Sequence, residues 1–121
     1  MLNKYQEDIQ REINQILNKI YLWKDLFFMS VEYYFDGWSI ALQEKNAYPR
    51  RIIVFRSYLT NTYSIKSFEI QLTPSKKDTY KELYFIENIL EPNELLKELK
   101  EIIYGKDLVK SVKKELAERF N

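Results

Sequence analysis

The spacing of apolar residues along this chain changes twice, from the helical period to a period of two and back again. Leu2, Tyr5, Ile9, Ile13, Ile16, Leu17 and Ile20 recur at steps of three and four, with Glu7, Asp8, Arg11, Glu12, Asn14 and Lys19 on the other face. That is the apolar stripe of one uninterrupted helix, expected over about Asn3 to Tyr21. Met29, Val31, Tyr33 and Phe35 then alternate with Ser30, Glu32 and Tyr34, and Asp36-Gly37 follows. Asp-Gly between alternating runs signals a hairpin, because both residues accept φ > 0 in a type I′ turn. A two-residue turn there sets Phe35 against Trp38, Tyr33 against Ile40 and Val31 against Leu42, all on one apolar face.

The period of two continues. Lys45 to Pro49 reads as a turn, Arg51 to Leu59 as a strand rich in β-branched and aromatic residues, Thr60 to Thr62 as a turn, and Tyr63 to Leu72 as a fourth strand. Thr73 to Asp78 holds Pro74, Ser75 and two lysines, as a loop does. Tyr80 to Ile89 fits two patterns. Leu83, Phe85 and Ile89 alternate as in a strand, whereas Leu83, Ile86 and Leu90 fit a helix that Thr79 and Glu82 could cap. Its length, matched to the strand before it, favours a strand.

The helical period returns after Pro92, which suits the first turn of a helix. Leu95, Leu96, Leu99, Ile102 and Ile103 form its stripe, and Gly105 can end it. Asp107 can cap a further helical segment through Leu108, Val109, Val112, Leu116 and Phe120. The expected fold is therefore α+β: an N-terminal helix, an antiparallel meander of four or five strands, and a C-terminal helix or helix pair. Without repeats or linker-like tracts, residues 1–121 are expected to form one domain.

Composition excludes much chemistry. The chain has no histidine and no cysteine, so imidazole catalysis, thiolate chemistry and disulfides are impossible. Its only glycines, Gly37 and Gly105, lie far apart, so a glycine-rich phosphate cradle is absent. Glu32 and Glu44 fall on the hairpin, where both are expected to be solvated. No catalytic residue, cofactor or metal is expected. Met1 to Gln10 carries Lys4, Glu7 and Asp8 and has no apolar core of a secretory leader. No apolar run is long enough to span a bilayer, so the expected compartment is the cytoplasm. Lys, Ile, Asn and Tyr are plentiful and Ala and Gly few, the bias of AT-rich codons, which points to a low-GC bacterium or one of its phages.

Net charge is +1, yet charge is unevenly placed. Lys45, Arg50, Arg51, Arg56 and Lys66 lie in a stretch, from Lys45 to Phe68, without a single acidic residue, interleaved with Tyr48, Tyr58 and Tyr63. Arginine and tyrosine together suit a protein interface and also base stacking with phosphate binding. A third reading is charge protecting an edge strand. If Met29, Trp38, Ile53 and Phe68 face the core, then Tyr34, Ile52, Val54, Arg56, Tyr58, Tyr63 and Ile65 share the opposite face. That face would be either covered by a terminal helix or used for binding. The expected contact patch is Arg56, Tyr58 and Tyr63, with Arg50 and Arg51 at its rim.

In size, composition and lack of catalytic residues the chain resembles small phage or mobile-element proteins that neutralise a larger partner, such as anti-CRISPR and toxin-immunity proteins. The resemblance carries no motif and transfers no site. The expected function is non-enzymatic protein binding that occludes a partner. The alternatives are a nucleic-acid-binding module and, third, a carboxylate-dependent enzyme or small-ligand binder. Self-association into a homodimer is open as well, and no membrane partner is expected.

Overall fold

The computed structural model describes residues 4–45, 50–72 and 78–106. Helix α1 (Lys4–Ile20) runs into a short 3-10 turn (Tyr21–Trp23). Five strands follow, β1 (Phe27–Tyr34), β2 (Gly37–Glu44), β3 (Arg50–Ser57), β4 (Thr62–Leu72) and β5 (Asp78–Ile89), and then helix α2 (Pro92–Ile103). The strands form one antiparallel sheet in sequence order, β1-β2-β3-β4-β5, so β1 and β5 are its edges. The α+β meander expected from the periodicity is thus the observed fold. The helical segment expected beyond Asp107, the 45–49 turn past Lys45 and most of the 73–78 loop lie outside the described residues.

Both helices pack on one face of the sheet. Ile13, Ile16 and Ile20 of α1 and Leu95, Leu99, Ile102 and Ile103 of α2 share a single core with Trp38, Ile40, Leu42, Ile52, Val54, Tyr63, Ile65 and Ile89. Each helix contributes the stripe that its sequence period predicts. Pro92 opens α2, and Gly105, at φ 105°, closes it. Gly105 N–H bonds the Ile102 carbonyl at 2.9 Å and Lys106 N–H bonds the Glu101 carbonyl at 3.0 Å, which satisfies carbonyls that the helix leaves open.

Three expectations need correction. The first turn is Phe35-Asp36, one residue earlier than Asp36-Gly37, so Tyr34 pairs Gly37, Tyr33 pairs Trp38 and Val31 pairs Ile40. The register is two residues off the one expected, which keeps every side chain on its expected face but leaves Phe35 fully exposed at the tip. Gly37 has no positive φ. It is already a strand residue paired with Ser57, and a Cβ there would stand 1.8 Å from the Arg56 carbonyl oxygen. The glycine therefore serves close strand approach rather than turn chirality.

The second correction concerns β3. Trp38 pairs Arg56, Ile40 pairs Val54 and Leu42 pairs Ile52, so Ile52, Val54 and Arg56 lie on the core face and Ile53 and Phe55 on the other. The β3 pattern is apolar at both parities and could not settle this. The third concerns Glu44, which is buried and not solvated. Tyr80 to Ile89 is a strand, but it carries register irregularities opposite Tyr63/Ile65 and Ser67/Phe68, with Asn88 at φ 62°. These bulges broke the alternation that would have marked it plainly.

Candidate functional site

Of the five residues expected to form a contact patch, four lie on the helix-covered side and are engaged within the fold. Arg50 sits at the start of β3 with its side chain 9% exposed, against Glu44 at 6%. Its Nε donates to Glu44 Oε2 at 2.7 Å, and Nη1 and Nη2 donate to the Ile102 and Ile103 carbonyls at 2.8 and 2.9 Å. Arg50 thus neutralises a buried carboxylate and caps the C-terminus of α2 in one gesture.

Arg56 belongs to a second network, centred on Glu12 of α1. Arg56 Nε donates to Glu12 Oε1 at 3.0 Å, Trp38 Nε1 donates to the same oxygen at 3.0 Å and the Tyr58 hydroxyl at 3.3 Å. Arg56 Nη2 reaches Asn61 Oδ1 at 2.8 Å. The guanidinium lies 4.5 Å from the Tyr63 ring centre and 5.2 Å from that of Tyr58. Burial, followed by the Glu12 carboxylate, pushes the Tyr58 hydroxyl up to about 12. The same two causes raise Tyr63, which is almost fully buried. Edge protection is also excluded for this stretch, since β3 is the central strand. The sequence signal for this network is Glu12, which directly precedes the buried Ile13: a carboxylate at the margin of an apolar stripe calls for a cation across the interface.

Arg51 alone reaches the other face of the sheet, on which no described helix lies. There β3 presents Arg51, Ile53 and Phe55, paired with Phe68, Lys66 and Ser64 of β4. Next to them β5 supplies Phe85 and Tyr80, both exposed, and β1 supplies the exposed Tyr34 and Phe28. Phe68 and Tyr80 meet edge to face at 6.2 Å, Lys66 Nζ lies 4.8 Å from the Phe85 ring centre, and it also sits 4.0 Å from Glu82. Ser39 and Ala41 form a low floor between the taller residues of β1 and β3, and the Tyr34 hydroxyl is fixed by Glu32 at 2.9 Å and Ser39 at 3.0 Å. Ile53 and Phe68, expected in the core from the sequence, lie on this face instead, because β3 and β4 are apolar at both parities.

Chemically, this face offers apolar and aromatic contact area on rigid strands, with two cations and two carboxylates at intervals. Among the described residues no three acidic side chains converge to hold a metal ion. No described helix is long and apolar enough to cross a membrane. Comparison with family models, curated proteins and solved structures returns no match for the chain.

Proposed function

We propose that this chain is a non-enzymatic protein-binding module that occludes a larger partner with its aromatic sheet face. The observation that carries the reading is a row of large apolar side chains, Ile53, Phe55, Phe68, Tyr80 and Phe85, over three adjacent strands without a described element against them. Among the described residues the core lies wholly on the other side of the sheet, and a large apolar patch of this kind is what binding surfaces present. The partner surface that fits is apolar at its centre and acidic where it meets Arg51.

The nucleic-acid reading draws on the same rings, which could stack on bases. It is the weaker one, because three of the five cations that motivated it stand against carboxylates. Arg50 and Arg56 are bound to Glu44 and Glu12, Lys66 stands beside Glu82, and Glu32 and Glu82 would repel phosphates.

Affinity capture from nuclease-treated extract of the source cell tests the proposal, with wild type compared against Tyr80→Ala and Phe85→Ala. Both side chains are exposed, so folding should survive. Each substitution should weaken the captured protein complex by about 2 kcal/mol, as hot-spot aromatics do, with modest salt dependence. Binding that disappears with nuclease, or that ignores both substitutions, overturns it.

A further inference from the structure

The two edges of the sheet are built differently. Strand β5 is guarded by two register irregularities, a positive φ at Asn88 and the charges of Lys81, Glu82 and Glu87. These are the usual devices against strand-to-strand association. Strand β1 has no register irregularity and no positive φ. Its eight residues, FFMSVEYY, pair with β2 in unbroken register and include one charge, Glu32.

The ladder shows which backbone groups of β1 have no partner among the described residues. The Leu26 carbonyl accepts the Lys45 N–H at 3.0 Å, on the side facing β2. Alternation in an antiparallel ladder then turns the backbone groups of 28, 30, 32 and 34 toward β2 and those of Phe27, Met29, Val31 and Tyr33 outward. Beside this edge runs a groove bounded by Leu17 and Tyr21 of the helical side and by Phe27, Met29 and Val31 of the strand. Tyr21, Leu22, Leu26 and Phe28 stand exposed around it.

Charge identifies the occupant. Lys24 and Lys45 cluster at the beginning of β1, held by Tyr21 and by the Lys24 carbonyl; Asp25 offsets one of them and leaves that end net basic, and among the described residues neither lysine is in a salt bridge. Glu32 and Asp36 lie toward its other end. An edge that is basic at one end and acidic at the other is complementary to its own antiparallel copy.

We propose that two copies of this chain pair through β1, antiparallel about a two-fold axis at Val31, into one continuous sheet. This register matches outward-facing Val31 with itself and Met29 with Tyr33 of the second copy. It sets Phe28 against Tyr34 and Ser30 against Glu32 of the second copy. Moving the axis to Glu32 would oppose two carboxylates, which like-charge repulsion disfavours. With the axis perpendicular to the sheet, the aromatic faces of both copies lie on the same side, so the dimer would present a doubled surface. The pairing itself does not depend on what that surface binds.

Light scattering should give a mass twice the 14.8 kDa of the chain. Val31→Pro removes an outward N–H that β2 does not use, and proline is tolerated at such edge positions. It should yield a monomer with the native circular dichroism. Because the chain has no cysteine, Val31→Cys should form a disulfide dimer on mild oxidation, the paired positions lying within disulfide reach. Glu82→Cys, on the other edge, should not. A monomeric wild type, or a Val31→Cys that cross-links no faster than Glu82→Cys, overturns the proposal.

Discussion

At the scale of the residue, Gly37 and Tyr58 make the sharpest statements. Because a Cβ at Gly37 would meet the Arg56 carbonyl, the first methyl already does the harm. Gly37→Ala should therefore destabilise by about 3 kcal/mol, nearly as much as Gly37→Val, since backbone and not a side chain must yield. A requirement for turn chirality would predict a smaller cost for Ala, and urea denaturation of the two variants separates the explanations. Tyr58 has its hydroxyl raised to about 12 in the fold, against an ordinary value of 10. A raised folded value favours the neutral form, so the contribution is present below pH 10 and is lost as pH rises from 10 to 12. Stability of the wild type should fall across that window, and Tyr58→Phe should flatten part of the fall.

At the scale of the element, Arg50 ties the start of β3 to the end of α2. Removing it leaves the Glu44 carboxylate buried and alone and strips two helix carbonyls of a partner. Arg50→Met should cost roughly 3–5 kcal/mol. Adding Glu44→Gln should recover part of that loss, because the orphaned charge goes with it. Chemical denaturation of both single variants and the double variant measures the coupling, and additivity would show the pair to be independent. The contrast between β1 and β5 belongs to this scale too. Bulges that hid β5 from its own alternation also close that edge to pairing, whereas the clean alternation that made β1 easy to read leaves it open.

At the scale of the whole molecule, Trp38 links the helix layer to the sheet. It is fully buried, its ring meets Tyr63 edge to face at 6.3 Å, and its N–H is shared between Glu12 and the Tyr58 hydroxyl at 3.1 Å. Trp38→Ala should cost roughly 3–5 kcal/mol. A single core implies one cooperative transition, with circular dichroism and tryptophan fluorescence coincident in the wild type. Separate transitions by the two probes would mean that the helices and the sheet unfold independently.

The order of the described elements, and the kind of all but Tyr80 to Ile89, where two periods fit, follow from the sequence alone. The helical period, the period of two, Pro92 and Gly105 are local signals, and each acts within a few residues of where it stands. The core face of the first hairpin was equally legible, since a two-residue slip preserves side-chain parity. What tertiary structure alone decided is which face of β3 and β4 the helices cover. Those strands are apolar on both parities, so no period distinguishes inside from outside. The choice fell to long-range partners: Glu12 drew Arg56 and Tyr58 inward, and Glu44 with the end of α2 drew Arg50. The same choice turned Ile53, Phe55 and Phe68 outward, and so located the candidate binding face opposite the patch that the charge pattern suggested.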